Sequence, residues 1–280
     1  MRAGWLAGWF LVLAVAVSSE AFGQATELRL GHFPNVTHAQ ALLGKASGDL
    51  EKAVGVPIKW TVFNAGPSAV EALFADAIDA TFIGPNPAIN GFIKSESESL
   101  VIVAGGASGG AALIVRPDAG IATEKDFDGK TIATPQLGNT QDVAARAWFV
   151  KHGYKFAEKG GTVTVMPLAN PDQLLMLQKK EIDGAWTVEP WVSRLEKEAG
   201  GKVFLEESSL WPQGRYVTTH LIVSRKFLAK NAELVKKLLA AHVEITQKLN
   251  ADKAAAAAAV NAQIKADTGK ALDPEVIQKA

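Results

Sequence analysis

Three turns in this 280-residue chain gather the side chains best suited to meeting a solute. They are Phe33-Pro34-Asn35-Val36-Thr37-His38, Gly84-Pro85-Asn86-Pro87 and Gln136-Leu137-Gly138-Asn139-Thr140-Gln141. Each follows a strand-like apolar run and precedes residues at helical spacing. A helix start leaves backbone N–H groups unpaired and carries a partial positive charge, so it holds an anion without Lys or Arg. The competing reading is that Asn35, Thr37, Asn86, Asn139 and Thr140 only cap their own helices. On pattern alone both readings stand.

Signatures of covalent chemistry are thin. The five histidines (His32, His38, His152, His220 and His242) have no metal-ligand spacing, and each is more readily a surface or packing residue. No phosphate-binding glycine loop occurs, and Ser108, in Gly106-Ala107-Ser108-Gly109-Gly110, carries the G-x-S-x-G letters without the strand-elbow context that a serine nucleophile needs. The chain has no cysteine, which excludes disulfides, thiolate zinc, iron–sulfur clusters, cysteine nucleophiles and lipidation through an N-terminal cysteine. Its 29 basic and 29 acidic residues balance, which argues against a general nucleic-acid binder.

The elements that would position these turns alternate between strand and helix. Strands are expected over 28–33, 58–63, 80–83 and 100–104, with helices over 37–54, 70–77 and 88–94 between them. The pattern restarts with strands over 111–115, 130–134, 162–166 and 183–187 and helices over 140–150 and 171–180. A strand over 221–224 precedes an almost wholly helical tail. Such alternation predicts an α/β fold with largely parallel sheets covered on both faces. Two units imply two lobes: 26–108 plus 221–280, and 109–220. Gly105, Gly106, Gly109 and Gly110 give the first crossing a hinge's freedom.

The first 25 residues read as an export signal. Arg2 precedes 13 apolar residues from Trp5 to Val17, and small residues at Ala21, Gly23 and Ala25 suit cleavage. That run is shorter than the ~20 residues of a spanning helix. An exported chain without a lipid site points to the periplasm. At the other end, a new helix begins at Asp273-Pro274 shortly before the last residue, as expected of a truncated C-terminus.

Several stretches carry a resemblance. They are Gly31–Gln40, Gly66–Leu73, Asp79–Ala88, Asp126–Asp142, Glu181–Trp191 and Leu221–Leu228. In order and spacing they resemble the periplasmic substrate-binding proteins of ABC importers. The group is the nitrate, sulfonate and taurine (thiamine-pyrimidine-synthase-like) one, and the aliphatic-sulfonate binders are the most similar. The resemblance implies a type II two-lobed fold with a ligand cleft between the lobes. It further implies capture without catalysis, no cofactor and no metal, a monomer, and delivery to an ABC permease and its ATPase. The related pyrimidine synthases are cytosolic and carry a cysteine-rich stretch, and porphobilinogen deaminases hold their cofactor through cysteine; this chain has neither feature. A ligand-binding sensor component remains the other class.

Carried onto the matched positions, the site comprises Asn35, Thr37 and His38 after the first strand, Gly84, Pro85 and Asn86 after the third, and Ser108 and Gly109 at the crossing. Gly138, Asn139 and Thr140 form the expected seat of the anionic head. Trp186 either packs a solute tail or belongs to the core; Glu189 either accepts from an amine or starts a helix. Trp211 and Tyr216 are candidate cleft walls. The absence of a Lys or Arg cluster from these turns favours recognition by N–H groups and polar side chains, which suits an alkanesulfonate or taurine-like solute. Nitrate or bicarbonate, or an amine or pyrimidine solute, are the alternatives.

Overall fold

A computed structural model describes residues 25–280; the expected signal, but for Ala25, lies outside the described residues. Strand β1 (Leu28–His32) leads through a 3-10 turn at Val36–His38 into α1 (Ala39–Ser47) and α2 (Asp49–Val54). Then follow β2 (Ile58–Val62), α3 (Gly66–Phe74), β3 (Ala80–Ile83), α4 (Pro85–Lys94), β4 (Leu100–Ser108) and β5 (Ala111–Val115). The chain continues as β6 (Thr131–Thr134), α5 (Thr140–Lys151), β7 (Thr164–Pro167), α6 (Asn170–Gln178), β8 (Gly184–Val188), α7 (Trp191–Ala199) and β9 (Lys202–Glu206). It returns through β10 (Val217–Ser224) to α8 (Arg225–Lys230), α9 (Ala232–Ala251), α10 (Lys253–Thr268) and α11 (Pro274–Lys279).

The strands form two five-stranded sheets, ordered β2-β1-β3-β10-β4 and β7-β6-β8-β5-β9. The alternation predicts largely parallel sheets, but each is mixed, with two parallel and two antiparallel pairings: β10 runs antiparallel to β3 and β4, and β5 runs antiparallel to β8 and β9. The reason is the crossing itself. A strand arriving from the other lobe starts at the cleft edge, where the resident strands end, so it must run against them. The central strands β5 and β8 are buried at every residue because helices cover both faces.

Two further expectations change. Gly48, at φ +70°, splits the first helix into α1 and α2. Of the four crossing glycines, Gly105 and Gly106 belong to β4. Only Gly109 and Gly110, at φ +82° and +74°, form the turn into β5. The strand β9 and the first half of β10 carried no strand signal strong enough to be expected.

Each sheet has its own core. Leu28, Leu30, Phe82 and Leu238 anchor the first; Phe127, Phe149, Trp148 and Trp186 anchor the second. Burying each of these large side chains stabilises by about 1.5–3 kcal/mol. The tail is pinned to the first sheet's unit and reaches the second. Asp267 on α10 bonds to His32 Nε2 at 2.7 Å and accepts from Lys45 Nζ at 2.6 Å. Lys279 on α11 reaches Glu196 on α7 at 2.6 Å. No helix among the described residues is long and apolar enough to cross a membrane.

Candidate functional site

The C-terminal ends of β1, β2, β3, β6 and β8 meet around a cavity between the two sheets. It offers about 30 Å³ to water-sized spheres, lined by Phe33, Asn35, Thr37, His38, Asn64, Ala65, Gly66, Gly84, Pro87, Pro135, Asn139, Thr140, Gln141, Asn170, Val188, Thr218 and Thr219. At ~10–15 Å³ per water that is room for about two waters, close to one small head group. The lining contains no Lys, Arg, Asp or Glu. Its buried hydroxyls Thr140 Oγ1 and Thr219 Oγ1 have no hydrogen-bond partner. Orphaned buried polar atoms are uncommon, and two of them border this cavity.

Four helices begin at this cavity, and their first turns differ in what they offer. Proline occupies the first turn of α3, α4 and α6, which removes N–H donors there. Helix α5 begins Thr140-Gln141-Asp142 without proline, and Asn139 Oδ1 caps the Asp142 N–H at 2.8 Å. That leaves the Thr140 and Gln141 N–H groups as the free donors of the first turn, at the positive end of the helix dipole. For Asn139 the capping reading therefore holds, and capping leaves α5 the strongest anion end.

His38 also lines the cavity. It stacks on Phe33 with ring centroids 4.3 Å apart, and its Nδ1 accepts from the Phe33 backbone N–H at 3.3 Å. The neutral ring then carries its proton on Nε2, as a donor. Burial, with His32 nearby, holds its pKa well below the ordinary histidine value. A depressed histidine favours the unfolded chain once that chain protonates, so stability is whole above about pH 6.5 and is lost as pH falls below it. Chemical denaturation between pH 7.5 and 5 should show a loss of up to about 1.4 kcal/mol per pH unit from this group. His38→Gln should lose stability less steeply; an unchanged slope would refute the assignment.

The structure brings Asn35, Thr37, His38, Gly84, Asn139 and Thr140 together at the cavity and leaves the other candidates off it. Pro85 and Asn86 turn into α4, and Asn86 makes no cap, because Gly84 is the N-cap residue. Ser108 is exposed at the end of β4, Gly109 accepts from Thr218 Oγ1 at 2.6 Å, and Gly138 donates its N–H to Asp142 at 2.9 Å. Trp186 is a core residue: fully buried, with Nε1 donating to Glu207 at 2.7 Å. Glu189 accepts from the Ser193 N–H and hydroxyl at 3.1 and 2.9 Å, and burial raises its pKa. Trp211 and Tyr216 stack on each other, 5.6 Å apart, away from the cavity.

Asn64, Ala65, Gly66, Asn170, Thr218 and Thr219 were not anticipated. The first four follow strands β2 and β7, so the rule that drew attention to the other strand ends also reaches them. The threonines belong to the unexpected half of β10.

Contacts across the cleft are direct. Trp191 Nε1 donates to Asn35 Oδ1 at 3.0 Å, and Ser68 meets Gln136 at 3.1–3.2 Å. A Cβ on Gly84 would lie 2.3 Å from Thr140 Oγ1.

Known proteins share this architecture. The sequence pattern of the NMT1-like family matches residues 23–264. A taurine-binding periplasmic protein of Escherichia coli (strain K12) is 27% identical over 196 residues, covering 70% of this chain and 58% of that protein. A putative aliphatic sulfonates-binding protein of Bacillus subtilis (strain 168) is 25% identical over 68% of this chain and 57% of its own length. The chain thus spans less than two thirds of either relative. Among solved structures, the alkanesulfonate-binding protein SsuA from Xanthomonas axonopodis pv. citri, bound to MOPS, superposes with a TM-score of 0.75 at 20% identity. That likeness covers 92% of this chain and 83% of the other, and it fixes the two-lobed α/β fold.

Proposed function

The chain belongs to the NMT1-like family, and on that premise we propose that it is the solute-binding component of an ABC import system, capturing a small organic sulfonate in the periplasm. The observation that carries the reading is the uncharged interlobe cavity with its two orphaned hydroxyls, Thr140 at the start of α5 and Thr219 on β10. A sulfonate presents three oxygens, which can accept from the Thr140 and Gln141 N–H groups, the threonine hydroxyls and His38 Nε2–H. An anion held by neutral donors needs no lysine or arginine in the pocket. The relatives bind rather than transform their solutes, which supports capture without catalysis.

Mechanism follows from where the donors sit. Asn35, Thr37, His38 and Gly84 come with the first sheet; Asn139, Thr140 and Gln141 come with the second. We place the lobes at 26–108 with 221–280 and at 109–220, so that β4–β5 and β9–β10 are the crossings. A solute reaches both donor sets only when the lobes close, so it shifts the population toward the closed form, which a permease and its ATPase would read. Asn35–Trp191 and Ser68–Gln136 are contacts of that closed form.

A thermal-shift panel of methanesulfonate, ethanesulfonate, taurine, nitrate, bicarbonate, sulfate and simple amines tests the reading. A sulfonate at ~100 times its dissociation constant should stabilise by ~2.7 kcal/mol, a rise of roughly 5–10 °C. Stabilisation by nitrate alone would reassign the cavity to a small inorganic anion. Stabilisation only by amines would remove the anion reading altogether.

A further inference from the structure

The geometry points to a second compartment of the same site: an apolar chamber that receives the tail of a sulfonate whose head sits at the start of α5. This deepens the functional reading above and rests on it. The head cavity, at about 30 Å³, has no room for carbon atoms beyond the head group. Beside it lies a chamber of about 260 Å³, and the two share Asn35, Asn64 and Asn170 as common wall. The chamber is closed by Pro34, Pro171, Pro190, Trp191, Ile264 and Leu272, drawn from both lobes and from the C-terminal segment. An apolar cavity of ~150 Å³ already admits benzene, so this one accepts a ring or a five-carbon chain.

The partition is fixed in place. Asn35 Oδ1 is bonded to Trp191 Nε1 at 3.0 Å, so the indole forms a chamber wall while the Asn35 amide N–H groups stay available to the head. The chamber's charges are occupied or outside. Arg194 stacks 4.4 Å over Trp191 and donates to Glu198 at 2.6 and 3.0 Å, and Lys270 stands exposed at the rim. No carboxylate lines either compartment, and both oxygens of the nearby Glu189 are bonded to Ser193. An ammonium at the tail end would enter without a partner. The favoured class is therefore an alkane- or arylsulfonate with an apolar tail, ahead of an aminoalkanesulfonate.

Titration calorimetry on the full mature chain tests this with methanesulfonate, butanesulfonate, pentanesulfonate and 3-aminopropanesulfonate. Each buried methylene is worth about four-fold in affinity, so pentanesulfonate should bind at least about ten-fold tighter than methanesulfonate. Butanesulfonate should likewise exceed its near-isostere 3-aminopropanesulfonate by about ten-fold. Ala271→Trp and Thr268→Trp, at exposed positions of the chamber's rim, should weaken pentanesulfonate at least about ten-fold and leave methanesulfonate within about two-fold, which also shows that both variants fold. Equal binding of the one-carbon and five-carbon sulfonates overturns the compartment, as does a chain-length gain that neither tryptophan reduces. Tighter binding of 3-aminopropanesulfonate overturns the tail chemistry. If no sulfonate binds, methanesulfonate included, the functional reading falls and the compartment with it.

Discussion

Gly84→Ala should raise the dissociation constant of any interlobe solute by about 5- to 150-fold while leaving the ligand-free melting temperature within a few degrees of wild type. The residue has φ −69° and ψ 156°, ordinary extended backbone, so alanine brings no strain to its own lobe. From β10, which belongs to the same sheet, the nearest atom is Thr218 O at 3.7 Å, a normal contact. The collision lies only across the cleft, where the new Cβ would stand 2.3 Å from Thr140 Oγ1 and 3.3 Å from Thr140 Cβ. Turning the Thr140 side chain relieves only part of this, because its Cβ stays 3.3 Å from the new Cβ in every rotamer and a β-branched side chain has few to choose from. Overpacking of this kind costs about 1–3 kcal/mol, and here the penalty falls on the closed form alone. Since a solute binds tightly only to that form, affinity falls by the same factor as its population. Thr140→Ala should relieve part of the clash, so the two substitutions should be non-additive when combined. Unchanged affinity in Gly84→Ala would mean that the solute does not require this approach of the lobes.

What the sequence disclosed of the site follows a physical division. Turns punctuated by Pro, Gly and Asn were readable because those residues restrict or free the backbone in ways that mark a strand's end. Phe33–His38, the Gly84 turn and Gln136–Gln141 are of this kind, and each supplies cavity residues. Asn64 and Asn170 occupy equivalent places ahead of Pro67 and Pro171, so the same punctuation reaches them. Thr218 and Thr219 follow an isolated Val217 in a strand whose continuous apolar run starts only at Leu221, so its polar first half carried little strand signal. The two tryptophans of the Glu181–Trp191 stretch show a different limit. Trp186 lies in the middle of β8 and Trp191 opens α7, and only the latter reaches the cleft edge. Residue type marks both as large and amphipathic; position along the strand decides which one meets the other lobe. The mixed sheets likewise depend on which lobe a strand arrives from, and local periodicity carries no trace of that.

Asp142 appears within the stretch that carried the family resemblance, yet its role emerges only from packing. Its carboxylate is buried on the first turn of α5 and gathers the turn before it. It accepts from Thr134 Oγ1 at 2.9 Å, from the Gly138 N–H at 2.9 Å and from Arg146 Nε at 3.2 Å, while its own N–H goes to Asn139. Asp142→Asn should therefore destabilise by about 3 kcal/mol, lowering the melting temperature by roughly 6–12 °C. Asparagine keeps one acceptor oxygen, but its amide must then face either the Gly138 N–H or the Arg146 guanidinium, donor against donor. Each buried donor left without a partner costs about 1–3 kcal/mol, and two then lack one, the donor that the amide faces and the amide N–H itself. Glu158→Gln makes the contrast, since it removes the other carboxylate on Arg146, at 2.8 Å, from an exposed position. Its effect should stay below about 1 kcal/mol. The functional consequence is separable from the stability loss. Well below its melting temperature the Asp142→Asn protein should still bind a sulfonate about ten-fold more weakly, because the Thr140 and Gln141 N–H groups point at the head only while the preceding turn is held. Wild-type affinity in a destabilised Asp142→Asn would show that α5 keeps its donors in place without this carboxylate, and the anion seat would then rest on Asn139 alone.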